Sequence, residues 1–464
     1  MTRTAPAVPE HAAAAATGRR EHGRGRRPRL SGSDLGWIAA ANAVVVVGLW
    51  WRAGGLRGLD DAASIATSVG RVTGLLGAYL VLVQLLLLGR IPALDRAVGF
   101  DRLAIWHRRN GHAALILLAV HTVLITVGYA LSDRVTLPRE VVTLLESYPG
   151  VLTATAGLVM LIAVAVTSVA IARRRLRYET WYFVHLYAYL GIALAFSHQL
   201  ATGHEFVHDG LARAYWYALY VATLGTIVVC RLGIPAWRAL RHRMRVEAVV
   251  PEGPGVVSLV IGGARLDRLP VAAGQFFLWR FLTRDRWWEA HPFSLSAAPD
   301  GRTVRITVKA LGDFTAGLAS VRPGTRVVAE GPYGSFTSAA RRRPRAALIA
   351  GGVGIAPIRA LLEDAAGELA VVYRAVRDED LILRKELEEL AARRGIELHY
   401  VLGDHRAPAG AALLSPDRLL ALVPDIAERD VFVCGPPGMI DATEASLRRA
   451  GVPRRRIVSE RFAY

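Results

Sequence analysis

The sequence predicts a six-helix transmembrane bundle followed by a small antiparallel β-barrel and a doubly wound α/β domain. Three observations support this order. The first half of the 464 residues contains six apolar segments long enough to span a bilayer. Short segments of alternating hydrophobicity then follow, separated by Pro- and Gly-containing turns. Finally, apolar strands alternate with helical patterns, and a glycine-rich loop joins the first of these strands to a helix.

Polar residues interrupt several of the apolar segments. Glycines, Arg71 and histidines lie within them, as expected for a bundle that encloses cofactors. The first segment is the shortest. The six segments are Leu35–Trp51, Ile65–Leu88, Gly111–Leu131, Val151–Ala172, Trp181–His198 and Ala212–Cys230. We therefore expect domain boundaries at 1–32 for a basic tail, 33–238 for the helical domain, 239–343 for the barrel and 344–464 for the α/β domain.

The formal net charge of +18 does not indicate nucleic-acid binding, because the basic residues follow the predicted spans. Arginines concentrate in the tail and in alternate connections, whereas the intervening connections carry few. By the positive-inside rule, both termini and the second half of the chain lie in the cytoplasm of a multi-pass cell-membrane protein. Contact with membrane lipid explains this charge without nucleic acid. The arginines of the connections are Arg90, Arg96, Arg102, Arg108, Arg109, Arg173, Arg174, Arg175, Arg177, Arg238, Arg241, Arg243 and Arg245.

The tail and the cysteines exclude two further classes of protein. Residues 1–32 are rich in Ala, Arg, Gly and Pro, which predicts disorder, and they lack the apolar core of a cleavable signal peptide. Only Cys230 and Cys434 occur, one in a predicted span and the other in the cytoplasmic half, so a disulfide framework is excluded. Nothing in the sequence indicates an oligomeric state.

Two pairs of histidines lie in or beside predicted spans. His107 and His121 are 14 positions apart, and His185 and His198 are 13 apart. Each pair therefore covers about 20 Å along a helix, most of a hydrocarbon core of about 30 Å. Pairing by depth puts His107 with His185 near the inner face and His121 with His198 near the outer face. Two imidazoles on each iron would bind two haems suited to electron transfer.

Helical geometry leaves alternatives open. Fourteen steps bring the second histidine back to within about 40° of the first, but thirteen leave it about 140° away. The second helix then needs a π-bulge, a kink or a long side-chain reach. His112 is an alternative inner ligand, although it lies only nine positions from His121. Any single histidine could instead be a polar residue satisfied inside the bundle.

After residue 239 the pattern changes to short strands. Val256–Ile261 and Gln275–Phe281 are apolar, and Thr303–Lys309 alternates strictly between apolar and polar residues. Turn sequences around Pro251–Pro254 and Pro299–Gly301 separate them. Several short strands at this spacing predict a small antiparallel barrel.

The last part of the chain alternates strands with helices. The strand Ala346–Ala350 runs into a glycine-rich loop at Gly351–Gly354 and then into a helix around Ile358–Leu362. Such a loop allows close backbone approach, and the helix N-terminus offers free N–H groups to a phosphate. Cys434–Gly438 lies at the carboxyl end of a later strand, where ligands bind in doubly wound sheets. The further strands are Leu369–Tyr373, Leu398–Leu402 and Val431–Cys434.

In this order the motifs resemble those of the transmembrane ferric reductase and NADPH oxidase superfamily, over nearly all of the chain after the tail. The membrane part rests on the two histidine pairs and on Gly111, four positions after His107. The second half rests on five strings in the right order. These are His291-Pro292-Phe293-Ser294-Leu295, Gly312-Asp313-Phe314-Thr315, Gly331-Pro332-Tyr333-Gly334, the loop Gly351–Pro357, and Cys434-Gly435-Pro436.

The resemblance implies roles for matching positions, with FAD, two b-type haems and a nicotinamide nucleotide as cofactors. The barrel binds FAD, and the loop at the start of the α/β domain binds the nucleotide phosphates. The terminal aromatic Tyr464 stacks on the flavin ring, and Cys434 lies near the nicotinamide. The flavin is lined by His291, Pro292, Phe293 and Ser294, with Ser294 at its reactive edge; its pyrophosphate contacts Lys309, Gly312, Asp313 and Thr315; and the nicotinamide nucleotide contacts Gly351, Gly352, Gly354, Pro357, Gly435 and Pro436.

Arg377 is the candidate for reading the nucleotide's 2′ position. It follows the second strand of the predicted doubly wound sheet, where a guanidinium can bind a 2′-phosphate. The resemblance therefore favours NADPH, with NADH as the alternative. An equally simple interpretation is a solvated arginine that pairs with Asp378 or Asp380.

The implied activity is electron transfer from cytoplasmic NADPH through FAD and two haems to an acceptor outside. A ferric chelate, molecular oxygen and a partner protein served by a passive haem carrier are the three candidate acceptors. Arg71 lies near the outer end of the second span, where it could border the acceptor site or extend to the lipid headgroups. Ile125 occupies a position where the oxidases tend to carry a histidine, and His204 and His208 in the outer loop could attract iron; both observations favour ferric iron.

Overall fold

Long helices make up the first half of the computed structural model, which describes residues 31–169, 175, 176, 178–404 and 410–462. A capping box begins α1 at Ser31, and another begins α2 at Asp61. The helices of this half are α1 (Gly32–Arg52), α2 (Ala62–Leu87), α3 (Pro92–Val98), α4 (Phe100–Asp133), α5 (Leu137–Ser147), α6 (Val151–Ser168), α7 (Tyr178–Thr202), α8 (His204–Val207), α9 (Gly210–Val228) and α10 (Ile234–His242). The π-helical turn Val229–Gly233 joins α9 to α10.

Five stretches of helix among the described residues are long and apolar enough to cross a membrane. They are Gly32–Arg52, Ala62–Leu87, Arg102–Asp133, Val151–Ser168 and Gly210–His242. The remaining predicted span, Trp181–His198, falls within α7, a 25-residue helix with several histidine and tyrosine residues. Several apolar helices are thus confirmed, while the crossing of the bilayer by α7 stays a prediction.

Small residues let the helices that carry the histidines approach their neighbours closely. A Cβ at Gly191 of α7 would lie 3.0 Å from the carbonyl oxygen of Gly157 in α6. On α2, a Cβ at Gly77 would lie 2.9 Å from the Leu118 side chain of α4. Close packing of backbones through small residues is the usual way in which helices associate in lipid. The bundle is therefore built from two tight helix pairs, α2 with α4 and α6 with α7.

The antiparallel domain contains six strands in two sheets. β1 (Arg245–Gly253), β2 (Val256–Gly262) and β5 (Thr303–Lys309) form one sheet in the order β1-β2-β5, and β3 (Phe276–Phe281), β4 (His291–Ser294) and β6 (Val327–Tyr333) form the other in the order β4-β3-β6. Isolated bridges, Arg245 to Arg326 and Leu295 to Ile306, connect the two sheets. Inward-facing residues such as Leu259, Phe277 and Trp279 fill one shared core. The short helix α11 (Asp313–Gly317) follows β5.

The last domain is a parallel five-stranded sheet with helices on both faces. Its strands are β7 (Ala346–Gly351), β8 (Leu369–Ala375), β9 (Glu397–Leu402), β10 (Asp430–Gly435) and β11 (Ile457–Arg461), in the order β11-β10-β7-β8-β9. α12 (Ile355–Asp364) and α13 (Arg384–Arg394) pack on one face, while α14 (Pro416–Leu422) and α15 (Pro437–Arg449) pack on the other. Strands fully covered on both sides read as continuous apolar runs, as β7 does.

The membrane bundle contacts the antiparallel domain through β6. Both α3 and α10 pack against this strand. Nη1 of Arg90, in the turn after α2, lies 2.6 Å from Oε2 of Glu330 in β6. The hydroxyl of Tyr333 donates to the other oxygen of the same carboxylate at 3.0 Å. This half-buried ion pair fixes the end of α2 to the strand.

Substituting Gly157 with Leu should separate α6 from α7. Overpacking of this kind costs about 1–3 kcal/mol, so we expect a lower Tm in thermal unfolding of the detergent-solubilised protein. Gly225→Leu is the matched control, because a Cβ at Gly225 of α9 meets nothing within 4 Å. Equal Tm values for the two variants would contradict the close approach of α6 and α7.

Candidate functional site

The four histidines meet in two pairs between α4 and α7. The ring centroids of His107 and His185 are 6.1 Å apart, and those of His121 and His198 are 6.3 Å apart. Two imidazoles bound to opposite sides of one metal ion through Nε2 bonds of about 2.0–2.1 Å would have centroids about 6 Å apart. Each gap therefore has room for one metal ion that two imidazoles would hold.

In each of the four histidines, Nδ1 already contacts an oxygen atom. Nδ1 of His107 lies 3.2 Å from the Gln84 carbonyl oxygen, and Nδ1 of His121 lies 2.8 Å from that of Gly70. On α7, Nδ1 of His198 lies 2.5 Å from the Ala195 carbonyl oxygen, and Nδ1 of His185 lies 3.3 Å from Ser168 Oγ. Such contacts fix the tautomer of a metal-bound imidazole and orient the ring. Nε2 of every ring is thus the nitrogen available to a metal.

The 13-residue spacing on α7 is accommodated without a π-bulge. Residues 178–202 form a continuous α-helix, and the π-helical turn lies instead between α9 and α10. The His198 ring turns back on its own helix towards Ala195. Both α7 rings nevertheless lie opposite rings of α4, His185 opposite His107 and His198 opposite His121.

The other candidate ligand lies away from these pairs. His112 is exposed on α4, whereas His107 faces His185. Trp181 lies beside the pair of His107 and His185, with its ring centroid 5.2 Å from that of His185 and its indole N–H donating to Ser168. The geometry therefore favours His107 over His112 as the partner of His185.

Arg71 lies beside the pair of His121 and His198. It follows Gly70, whose carbonyl contacts His121. Its Nη2 lies 2.5 Å from Oε1 of Glu205, a buried carboxylate, and 2.8 Å from Nδ1 of His204. The His204 and His208 rings are in turn 4.7 Å apart. Arg71 is thus held by the α7–α9 connection, so its charge stays beside the pair of His121 and His198.

In the antiparallel domain, flat side chains gather around the string His291–Ser294. The rings of His291 and Phe314 stack with centroids 3.8 Å apart, and Phe293 lies nearly parallel to both. Thr315 Oγ1 accepts the backbone N–H groups of Leu311 and Gly312, which shapes the start of α11. Lys309 ends the neighbouring strand β5. A cluster of ring faces beside a polar turn fits a planar ring with a phosphate-bearing tail.

Three chemically active side chains from distant parts of the chain converge here. Ser294 Oγ donates to Oε1 of Glu460 at 2.6 Å. Cys434 is fully buried at the end of β10. Burial, and then the nearby Glu460 charge, raises the pKa of its thiol well above the usual value. The sequence-predicted residues Ser294 and Cys434 therefore share a neighbour, Glu460, that the sequence did not single out.

The glycine-rich loop packs against the same strand end. Gly352 has φ of +55°, a conformation that favours glycine. A Cβ at Gly354 would lie 2.9 Å from Cα of Gly435. α12 begins directly after this loop, with Pro357 in its first turn. Gly351, Gly352, Gly354, Cys434, Gly435 and Pro436 therefore lie together at the carboxyl ends of β7 and β10, the place where dinucleotides bind in such sheets.

Of the two remaining sequence-predicted site residues, Arg377 is among the described residues and Tyr464 is not. Arg377 is exposed, and its guanidinium lies 2.6 Å from Glu379 and 3.6 Å from Asp380. The predicted pairing with Asp380 is thus present, whereas Asp378 pairs with Arg384. Tyr464 lies outside the described residues. Phe462, two positions earlier, packs against the core of the α/β domain.

Several residues at these sites were missed by sequence reasoning. Glu460, Ser168, Trp181 and Gln84 carry no local pattern that marks them. Gly70, Gly74 and Gly77 did offer a signal, because small residues at this spacing share one face of a membrane helix. A Cβ at Gly74 would lie 2.5 Å from His121 Nδ1, so this glycine makes room for the ring.

Comparison with known families agrees with the three-part architecture. Residues 73–196 match the ferric reductase like transmembrane component. Residues 255–337 match an FAD-binding domain, and residues 348–445 match an oxidoreductase NAD-binding domain. These matches define a membrane oxidoreductase that carries FAD- and nicotinamide-nucleotide-binding domains for electron transport.

Individual relatives each match part of the chain. The toluate 1,2-dioxygenase electron transfer component of Pseudomonas putida is 28% identical over 290 residues, covering 58% of this chain and 83% of that protein. The ferredoxin–NAD(+) reductase component of an alkene monooxygenase system from Xanthobacter autotrophicus is 32% identical over 235 residues, covering 48% and 70%. NADH-cytochrome b5 reductase 2 of Chaetomium globosum is 34% identical over 149 residues, and the chain spans only 43% of its length.

Among solved structures, the FAD/NAD-binding domain of a nitric oxide dioxygenase from Vibrio cholerae aligns with a TM-score of 0.40 and 25% identity, over 47% of this chain and 98% of that one.

The three family matches together show one chain in which a ferric-reductase membrane component is followed by FAD- and NAD-binding domains. The chain therefore belongs to the superfamily of transmembrane ferric reductases and NADPH oxidases.

The raised pKa predicts that Cys434 stays a neutral thiol from pH 6 to 9, since thiolate forms only above the shifted value. In a Cys230→Ser background, where Cys434 is the only cysteine, we expect slow iodoacetamide labelling of the native protein across this range. Labelling after denaturation should be fast and should follow an ordinary thiol pKa, which serves as the control. Rapid labelling of the native protein at pH 7 would show that Cys434 is neither buried nor neutral.

Proposed function

We propose that this chain passes electrons from cytoplasmic NADPH, through FAD and two bis-histidine b-type haems, to a one-electron acceptor outside the cell membrane. The observation that carries the proposal is the meeting of the four imidazoles in two pairs, with ring centroids 6.1 and 6.3 Å apart. In every ring Nδ1 already contacts an oxygen atom, which leaves Nε2 for a metal. His107 and His185 would hold the inner haem, and His121 and His198 the outer one. Two imidazoles on each iron would suit electron transfer rather than ligand binding at the metal.

The cofactors supply the redox chemistry, because a flavin accepts two electrons together and releases them singly to one-electron haem iron. This chain's residues supply position and environment. His291, Pro292, Phe293 and Ser294 would face the flavin, with Lys309, Gly312, Asp313 and Thr315 at its pyrophosphate. Tyr464 remains our candidate for stacking on the ring. Ser294 holds its hydroxyl proton towards Glu460, and Cys434 would keep a buried, neutral thiol near the nicotinamide end.

The orientation follows from the charge pattern. Arginine-rich connections would place both termini and the second half of the chain in the cytoplasm, with α7 as the fifth of six spans. The proposed boundaries remain 1–32, 33–238, 239–343 and 344–464. The ion pair between Arg90 and Glu330 then lies at the inner membrane face and holds the FAD-binding domain below the inner histidine pair.

The acceptor we favour is a ferric chelate. Ile125, packed against Gly70, places an apolar group beside the outer pair where a proton donor to reduced oxygen would be needed. His204 and His208 lie together at the outer side. Oxygen is the second candidate, because the held charge of Arg71 beside His121 could stabilise an anionic product.

Strict exclusion of oxygen separates these acceptors. The purified protein should reduce a ferric chelate with NADPH under anaerobic conditions, and Arg71→Ala should slow oxidation of the outer haem. Superoxide release stoichiometric with NADPH, together with no anaerobic ferric reduction, would establish oxygen as the acceptor instead.

The purified protein should contain two low-spin haems per chain. His121→Ala or His198→Ala should reduce this to one and abolish acceptor reduction, while NADPH still reduces the flavin. The exposed His112→Ala is the matched control and should keep both haems. Haem quantification with reduced-minus-oxidised spectra checks this, and one haem in the unmodified protein would refute the pairing.

Arg377→Ala should raise the KM for NADPH about tenfold, since hydrogen bonds to charged groups contribute about 1.5–3 kcal/mol. The KM for NADH should change little, because NADH has no 2′-phosphate. Arg384→Ala, which removes a neighbouring ion-paired arginine, is the control. Steady-state kinetics with both nucleotides decide the point, and equal effects would remove Arg377 from the nucleotide site.

A further inference from the structure

One carboxylate joins arginines from two domains. Arg305, on β5 of the antiparallel domain, binds Glu386 of α13 in a bidentate manner, with Nη1 to Oε1 and Nη2 to Oε2 both at 2.8 Å. Nε of Arg359, on α12, lies 2.8 Å from the same Oε2. Glu386 therefore bridges the antiparallel domain and two helices of the α/β domain.

The contact continues through a second carboxylate. Nη1 of Arg359 lies 2.6 Å from Oε2 of Glu363, and that oxygen accepts the backbone N–H of Ala298 at 2.7 Å. Nη1 of Arg359 also donates to the Ser296 carbonyl oxygen at 3.4 Å. Both Arg359 and Ser296 are buried. We call Arg305, Arg359, Glu363, Glu386 and Ser296 the interdomain clasp.

The clasp lies between the two nucleotide-binding segments. Ser296 is two positions after Ser294, and Arg305 shares strand β5 with Lys309. Arg359 is on α12, which begins directly after the loop Gly352–Gly354. A change in the clasp would therefore shift the flavin-lining strand relative to the nucleotide-binding helix.

The charges in the clasp are mutually dependent. Burial disfavours the ionised form of Glu386, but the hydrogen bonds and charges of Arg305 and Arg359 outweigh it and lower the pKa of the carboxyl. Loss of one member leaves the others partly buried and uncompensated. Bidentate arginine–carboxylate pairs also restrict orientation, because the planar fork fits in one geometry.

We propose that the interdomain clasp sets the orientation of the nicotinamide-nucleotide domain relative to the FAD-binding domain, with Glu386 as its central positioning residue. The proposal rests on the proposed function. In the step it controls, NADPH gives up a hydride, which is two electrons and one proton, so that NADPH is oxidised to NADP⁺ and the flavin is reduced. Glu386 touches neither reactant and acts only through the two arginines.

Glu386→Gln in the full-length holoprotein tests this inference. We expect anaerobic stopped-flow reduction of the flavin by NADPH to slow about tenfold, with FAD content unchanged and the KM for NADPH altered less than twofold. Hydrogen exchange at Ala298 and in residues 355–364 should quicken, because the domains are less firmly joined. Glu388→Gln is the matched control: Glu388 is on the same helix and pairs with Arg384 within one domain, so neither measurement should change.

Arg305→Lys provides a second variant that keeps the charge but loses the bidentate geometry. It should slow flavin reduction to an intermediate extent with normal FAD content. Unchanged flavin reduction in both variants would overturn the proposal, as would slower reduction with unchanged hydrogen exchange. The exchange measurement needs no turnover. If the unmodified protein failed to oxidise NADPH, the proposed function would fall, while faster exchange in Glu386→Gln would still support the clasp.

Discussion

The distance between α4 and α7 is the constraint on which the membrane half depends. Imidazoles from both helices must come within about 6 Å, centroid to centroid, at two depths to share a metal ion. Neither helix sets this distance alone. Gly70, Gly74 and Gly77 bring α2 against α4, while Gly157 and Gly191 bring α6 against α7. Carbonyl and hydroxyl oxygens of these supporting helices also hold Nδ1 of three of the four rings.

A second constraint is the alignment of three separately folded parts. The membrane bundle meets the antiparallel domain at Arg90 and Glu330, and that domain meets the α/β domain at Arg305 and Glu386. Each boundary is joined by a partly buried ion pair, in which orientation is fixed more strictly than by apolar packing. Tyr333 of β6 donates to Glu330 in the first contact, and its ring packs against Phe276 at the start of β3. Electron transfer between successive cofactors depends on such fixed spacing, so we regard these ion pairs as functional parts of the molecule.

Local pattern predicted most of the architecture. The apolar segments, the strict alternation in Thr303–Lys309 and the strand–glycine loop–helix sequence each appear in the structure where expected. The geometry at His198 was less predictable, because a 140° offset can be absorbed by the backbone or by the side chain, and only packing decides between them. The π-helical turn at Val229–Gly233 carries no comparable signal. The contact between Ser294 and Glu460 joins residues 166 positions apart and depends on how two domains meet. The role of Arg377 was also not predictable, because the sequence does not tell whether its guanidinium pairs with the neighbouring carboxylates or binds a nucleotide phosphate.

The central claim is that each imidazole pair holds one six-coordinate haem. Electron paramagnetic resonance of the oxidised, purified protein tests it most directly, because it reports the axial ligation of each ferric iron. The account predicts two distinct low-spin ferric signals of equal intensity, one for each pair. A single low-spin species, or a substantial high-spin signal from an iron with an open axial position, would contradict it.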